Sequence, residues 1–388
     1  MRKIVIFTSS FLQPHTKELI IGGLEKYIKD LARLCVDNGY ETIIYQIVPS
    51  DIGSYETERN GFRVKFVPST EKSVQKRNKT VFDYVYKKEN DLNTLFIIAT
   101  DCMRIKSRKK NVVVIQHGIS FDDSSYKKDK LKSRFWRIKH HIGKFYGCYL
   151  MVQNFYNVIN TICVDYNYFN WFRTLGTIYP ETQIKVIPNY SETFITQEEL
   201  QSKINRIDEH KKIIFARRFY DYRGTLLFKE VAKRLLIEFP NIVISFAGDG
   251  PLRKDVEESF IGEPRVKIFS YEASKSVEIH KEYDIAVIPT IFSEGTSLAL
   301  CESMAAGCFP IATHVGGMTN IILDGYNGFL VYPDTLNVYN ACKKALTLNK
   351  DEFSNICINA YMSASRSFSY KKWSEEWCDF LSKQFATS

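Results

Sequence analysis

The chain has 388 residues, 45% of them apolar and 25% charged, with a formal net charge of +9 at pH 7. That length suffices for two α/β domains with full cores, and the composition is that of an ordinary soluble protein. Nine cysteines, an odd number without a CxxC pair or zinc spacing, sit among apolar neighbours such as Leu34 and Ile162, which predicts reduced, buried thiols in a cytoplasmic protein.

No uninterrupted apolar run is long enough to span a bilayer; the nearest candidate, Phe145 to Val164, is broken by Gln153, Asn154, Asn157 and Asn160. The apolar stretch after Met1-Arg2-Lys3 is too short for a signal peptide and reads as an opening strand. Charge divides unevenly. Residues 1–190 carry a net +12 and the remainder a net −3, as expected of two domains with different partners.

Lys3 to Phe7 is the first predicted strand. After Gly22-Gly23 comes an amphipathic helix with Leu24, Tyr27, Ile28, Leu31, Leu34 and Cys35 on one face, ended by Gly39. Thr42 to Val48 is the next strand, so the chain opens as a Rossmann-like unit. Its glycines are adjacent, so the G-x-G-x-x-G fingerprint is missing, and the pair either admits a ligand close to the backbone or makes a tight turn. Val112 to Ile115 is a strand leading to His117, which faces a ligand crevice or serves the core. Short strands follow at 162–165 and 184–187, and the polar stretch 191–211 reads as a domain junction.

The second half alternates more cleanly. Strands are predicted at 213–215, 242–247, 266–269, 285–288 and 327–331, and helices at 224–239, up to Tyr283, at 338–348 and at 370–385. The resulting fold class is α/β, with two Rossmann-like, doubly wound parallel-sheet domains facing a cleft. Between Asp284 and Gly317 an apolar run closed by Pro289 is followed by a turn containing Glu294 and Gly295. A helical pattern of Leu298, Cys301, Met304 and Ala305 then stops at Gly307. Ser293 to Ser297 therefore leave a strand's carboxyl end and enter a helix N-terminus, where such sheets bind anions. Glu294 and Glu302 would stand about 12 Å apart along a helix axis. Glycosidase pairs lie about 5 to 9.5 Å apart, so these acids suit two parts of an elongated ligand better than one scissile bond. Their spacing alone equally fits a solvated helix residue and a charge near a helix N-terminus.

Seven motifs now occur in one order: GGLEKYIKDLARLCVDNGYE, QHG at 116–118, KVIPN at 185–189, FARRFYDYRG at 215–224, FAGDGPL at 246–252, SEGTSLALCESMAAGCFPIATHVGG at 293–317, and NGFLV at 327–331. In these the chain resembles the retaining, nucleotide-sugar-dependent glycosyltransferases of the GT-B fold, the group 1 family with an E-x7-E motif that includes bacterial mannosyl- and glucosyltransferases. The resemblance is dense over 213–331 and thin over 49–110 and 119–160. It implies an acceptor-side domain over 1–190, a linker over 191–211, a donor domain over 212–370, and a last helix, 371–388, returning to the first domain.

By the same resemblance, Arg217 and Arg223 grip the donor diphosphate, and Glu294 meets the sugar hydroxyls. The loop Gly295-Thr296-Ser297-Leu298 offers N–H groups to phosphate, and Glu302 binds the ribose. Gly248, Asp249 and Gly250 border the nucleotide, and Ser270 and Tyr271 lie near the base. Gly22, Gly23 and His117 close the site from the first domain. The donor is a nucleotide sugar, UDP favoured over GDP, acting as substrate; no cofactor is implied. No D-x-D triplet occurs, so a bridging metal lacks its usual ligands and guanidiniums would stabilise the leaving group. Ala216 and Arg223 depart from the family's usual glycine and lysine; arginine keeps the charge and changes the geometry. The implied function is hexose transfer to a glycan or lipid-linked acceptor in bacterial surface polysaccharide synthesis. The alternatives are a nucleotide-sugar epimerase or phosphorylase of the same architecture, or a silent partner subunit.

Residues 126–150 hold eight Lys/Arg against one acid, with Phe135, Trp136, Phe145 and Tyr146 among them. Such a segment fits an anionic membrane surface, a solvated helix face or nucleic acid. The first is favoured, placing the protein peripherally on the inner membrane face; no nucleic-acid module is readable.

Overall fold

The computed structural model describes residues 1–20, 22–118, 133–156, 158–175, 183–206, 211–292 and 294–386. Residues 126–132 of the basic segment, Ser293, 207–210 of the expected linker and 387–388 lie outside that range.

The first lobe runs β1 (Lys3–Thr8), α1 (Gly23–Asp37), β2 (Glu41–Pro49), β3 (Tyr55–Arg59), β4 (Phe62–Ser69), α2 (Val74–Glu89), β5 (Thr94–Ile98) and β6 (Val112–Gln116). It continues through α3 (Arg134–Tyr156), β7 (Asn160–Cys163), α4 (Tyr166–Leu175) and β8 (Gln183–Val186). The second lobe runs α5 (Gln197–Asn205), β9 (Lys212–Ala216), α6 (Thr225–Glu238), β10 (Val243–Ala247), α7 (Arg253–Ser259), β11 (Val266–Phe269), α8 (Ser276–Lys281) and β12 (Ile285–Ile288). After these come α9 (Leu298–Ala305), β13 (Phe309–Thr313), β14 (Phe329–Val331), α10 (Thr335–Thr347), α11 (Lys350–Ser367) and α12 (Tyr370–Ala386).

The strands are short apolar runs because both sheet faces are covered, as parallel sheets require. The first sheet has the order β3-β4-β2-β1-β5-β6-β7-β8 and the second β11-β10-β9-β12-β13-β14. Among the described strands every pairing is parallel, as the fold class requires, except β3 with β4, an antiparallel hairpin at the first sheet's edge. The cause is local: Asn60 and Gly61 both take positive φ, the geometry of a two-residue hairpin turn. Strand order reverses between β1 and β5 in one sheet and between β9 and β12 in the other. Loops leaving the carboxyl ends at such points diverge and open a crevice.

Within the stretch expected as linker, Gln197–Asn205 form a helix that packs on the second lobe. Thr196 forms a reciprocal capping box with Glu199. Ile195, Leu200 and Ile204 join the second lobe's core, and buried Lys203 donates to the carbonyl of Ala306 at 2.8 Å. The chain crosses between lobes twice, side by side. The N–H of Ser191 donates to the Phe368 carbonyl at 2.7 Å, and the N–H of Tyr370 donates to the Ser191 carbonyl at 3.1 Å. Beyond the second crossing, Trp373, Trp377, Phe380 and Leu381 of α12 are buried in the first lobe's core. All nine cysteines are free thiols.

Candidate active site

The two switch points face one another across a cavity of about 420 Å³. β9 ends in Ala216 and delivers Arg217; β12 ends before Pro289 and delivers Thr290 and the loop carrying Glu294. These loops are neighbours only because β9 and β12 pair. One oxygen of Glu294 thereby collects three donors: Arg217 Nη2 at 2.6 Å, Thr290 Oγ1 at 3.1 Å, and Arg223 Nη1. Arg217 Nη1 also donates to Thr290 Oγ1. Burial pushes the Glu294 carboxyl up, but the Arg217 and Arg223 guanidiniums more than reverse this and hold it down at about 2. One carboxylate against two guanidiniums leaves the cluster a unit positive, ready for an anion. Arg223 also lies 5.0 Å over the Tyr222 ring, a stacked geometry suited to a planar guanidinium.

The rest of the loop is fixed by the opposite lobe. Asn189 Nδ2 donates to the Thr296 carbonyl at 2.7 Å, and Thr296 Oγ1 donates to the Val164 carbonyl. A Cβ on Gly295 would stand 2.7 Å from both the His117 carbonyl and Val164 Cγ2, so only glycine lets the lobes meet here. α9 starts at Leu298, and its first-turn N–H groups have no carbonyl one turn back within the helix. Leu298 and Ala299 of that turn line the cavity beside Thr296 and Ser297.

Glu302 lies on α9, one turn in, and accepts from Ser276 Oγ at 2.7 Å. Burial pushes its carboxyl up to about 7. Glu294 precedes the helix, so the separation of the two acids is only partly helical rise. Tyr271 completes this end, its hydroxyl pushed up to about 12 by burial. From the first lobe come Gly22, Gly23 and His117. His117 Nε2 lies 2.9 Å from the Ala99 carbonyl, which only accepts, so Nε2 carries the proton and Nδ1 is a bare acceptor. Burial lowers this imidazole to about 4, so it is neutral at physiological pH. Its ring meets Tyr27 edge-on at 5.1 Å, and Tyr27 in turn accepts from Trp377 Nε1 at 2.9 Å.

Of the sixteen residues singled out from the sequence, Gly22, Gly23, His117, Arg217, Arg223, Tyr271, Glu294, Gly295, Thr296, Ser297, Leu298 and Glu302 line this cavity. Gly248, Asp249, Gly250 and Ser270 do not. Gly248 and Gly250 are glycines because a Cβ would strike the backbone of Arg217 and Phe219, and Ser270 accepts from Arg253. These four brace the turn that carries Arg217. Lys26, Asn189, Arg218 and Ala273, which were not expected from the sequence, also line the cavity. Lys26 stands one helical turn past Gly22, and Asn189 closes the KVIPN motif, so both carried a positional signal. Among the described residues no group of three or more His, Cys, Asp or Glu side chains is arranged to hold a metal.

Residues 210–348, which contain both arginines and both acids, match the family described as glycosyl transferases group 1. The second lobe is a group 1 glycosyltransferase domain. The whole chain has the GT-B fold. It superposes on sucrose-phosphate synthase from Thermosynechococcus elongatus with a TM-score of 0.74, at 14% identity and full coverage of both chains. It superposes on Anabaena HepE, solved with UDP-glucose, with a TM-score of 0.67, at 14% identity over 98% of this chain and 99% of that one. In sequence it is 22% identical over 360 residues to an uncharacterized glycosyltransferase of Methanocaldococcus jannaschii, 85% of each chain. The matched family segment and the arginines and acids of the cavity wall coincide.

Proposed function

We propose that the protein moves a hexose from a nucleotide diphosphate sugar, UDP-linked, to a glycan or lipid-linked acceptor in surface polysaccharide synthesis, with retention and without a metal. The observation that carries this is the Arg217–Glu294–Arg223 cluster, sharing one cavity with Glu302. Its net positive charge and the first-turn N–H groups of α9 suit a diphosphate. Glu302, a buried carboxyl, suits a pair of neighbouring hydroxyls such as those of ribose.

In this reading Glu294 holds donor-sugar hydroxyls and His117 Nδ1 accepts one from the other side. The bond from the anomeric carbon to the diphosphate oxygen breaks, with Arg217 and Arg223 taking up the charge that develops on that oxygen. The acceptor oxygen bonds to the same face of that carbon, and its proton passes to the leaving phosphate. The neutral His117 orients and does not serve as the base. UDP is favoured because the neighbouring Anabaena protein was solved with UDP-glucose.

The test is a panel of UDP- and GDP-sugars incubated with purified protein, with and without saccharide acceptors, reading nucleotide release and product anomer. Nucleoside diphosphate release that rises with an acceptor supports the proposal. Isomerised donor without release indicates an epimerase, and binding without turnover across the panel indicates a silent subunit.

A further inference from the structure

The apolar stripe of helix α3 is turned outward. At about 100° per residue, Phe135, Ile138, Ile142, Phe145, Tyr146 and Tyr149 fall within an arc of about 100°. That is the apolar stripe by which a helix ordinarily packs on its core. Here those six side chains are 52 to 79% exposed. The helix is held from the opposite side and near its far end, where Met151 is buried with Cys163, Tyr168 and Phe172. The stripe is about 21 Å long, far more contiguous apolar surface than scattered exposed residues leave on a monomer.

The helix contains no Asp or Glu. Arg134, Arg137, Lys139 and Lys144 are its charged residues, and Arg134 and Lys139 fall at the two margins of the stripe on the same helical count. Trp136 is partly exposed beside them, stacked edge-on with Phe135 at 6.2 Å and with Lys139 4.9 Å above its ring. The lobe that bears the helix is the basic one, residues 1–190, at a net +12. A second copy of this chain would bring cations against cations. A surface of anionic headgroups over acyl chains matches both parts, the stripe entering the acyl boundary and the flanking cations reaching phosphates. Among the described residues no helix is long and apolar enough to cross a membrane, so the contact is a lying-on one.

We infer that α3 seats the first lobe on an anionic lipid leaflet through the outward stripe Phe135–Ile138–Ile142–Phe145–Tyr146–Tyr149. The stripe provides the insertion, and the lysines and arginines select the leaflet. The inference does not depend on the transfer reaction, because none of these residues lines the cavity.

The experiment is co-sedimentation of the full chain with phosphatidylcholine vesicles, with and without phosphatidylglycerol. It compares the wild type with two variants: Phe135→Gln/Ile138→Gln/Ile142→Gln/Phe145→Gln, and Arg134→Gln/Arg137→Gln/Lys139→Gln/Lys144→Gln. The wild type should pellet with the anionic vesicles. The stripe variant should lose about tenfold or more in partitioning with an unchanged melting temperature, since it alters exposed side chains. The charge variant should lose its preference for phosphatidylglycerol. A wild type that stays in the supernatant overturns the proposal, and so does a stripe variant that pellets like the wild type. A wild type that self-associates in solution, becomes monomeric in the stripe variant and ignores vesicles assigns the face to a second copy instead. Nucleotide release with a water-soluble acceptor, run on the same samples, should be equal in wild type and stripe variant, so loss of membrane binding and loss of turnover are read separately.

Discussion

Replacing Glu294 by Gln tests the central cluster, because the structure predicts opposite effects on the empty and the nucleotide-bound protein. Glu294 is the shared counter-charge of two guanidiniums whose side chains are only 6 and 20% exposed. Its carboxyl is held at about 2 against an ordinary 4.5. At about 1.4 kcal/mol per pKa unit, that displacement corresponds to about 3 kcal/mol of native-state stabilisation. Removing one partner of a buried pair costs about 3 to 5 kcal/mol, so the two routes agree. For a lobe of this size the empty variant should melt about 6 to 12 °C lower. The sign with pH follows, because a depressed carboxyl contributes fully above its unfolded value, 4.5, and loses that contribution as pH falls toward the folded one. The gap between wild type and variant should therefore be widest near neutrality and close in strong acid. UDP should then act unequally. In the wild type its diphosphate competes with Glu294 for Arg217 and Arg223, whereas in the variant both guanidiniums await an anion. Thermal-shift titration should show the larger UDP-induced rise in Glu294→Gln, while sugar transfer falls. Equal melting of the two proteins, or equal UDP shifts, would show that this carboxylate does not hold those arginines or that the diphosphate goes elsewhere.

Glu302, raised by burial to about 7, should make UDP binding depend on pH. Below that value the carboxyl is neutral and can no longer accept two hydroxyls, so affinity should fall by about tenfold per unit; the measured quantity is the wild-type slope minus that of Glu302→Gln, since the nucleotide's own phosphate titrates in both. Superimposable slopes would refute the assignment. Gly295→Ala should lower kcat by about tenfold or more while leaving UDP affinity within about threefold, because its Cβ meets the His117 carbonyl and Val164 where the lobes close, not the nucleotide; a normal kcat rules that closure out. Arg217→Ala should cost about 10²- to 10³-fold in turnover, and EDTA should cost nothing. Near-normal turnover in the variant, or inhibition by the chelator, contradicts a cationic pocket acting without a metal.

What could be read from the sequence follows from how far apart the interacting residues lie. The strand–helix alternation of the second half was legible because each element there carries its own period and stop, as with Leu298 to Ala305 before Gly307. In the first half, β5, α2 and the hairpin at Asn60-Gly61 are not among the expected elements, although Asn-Gly is a strong local turn signal. The capping box at Thr196 and Glu199 was likewise present in a stretch judged a linker by its polarity. The cavity wall was legible as a set of positions, and its internal wiring was not. Arg217 and Glu294 are separated by 77 residues, and nothing local says that they bond each other in the empty site. That Gly248 and Gly250 stand against the Arg217 and Phe219 backbones is likewise visible only in the fold. The exposure of the α3 stripe was not legible either, because a periodic pattern fixes which residues share a side and not which way that side points.

The returning helix α12 has a consequence for how the molecule is made. Trp373 packs on Tyr27 with ring centroids 5.4 Å apart and on Tyr190 at 4.6 Å, so the first lobe is sealed by side chains translated after the whole second lobe. A nascent chain holding residues 1–190 has its sheet but lacks its lid, and an aromatic groove stays open while nearly two hundred further residues emerge. A nonsense codon near position 370 would therefore spare the nucleotide lobe's own elements and injure the lobe made first.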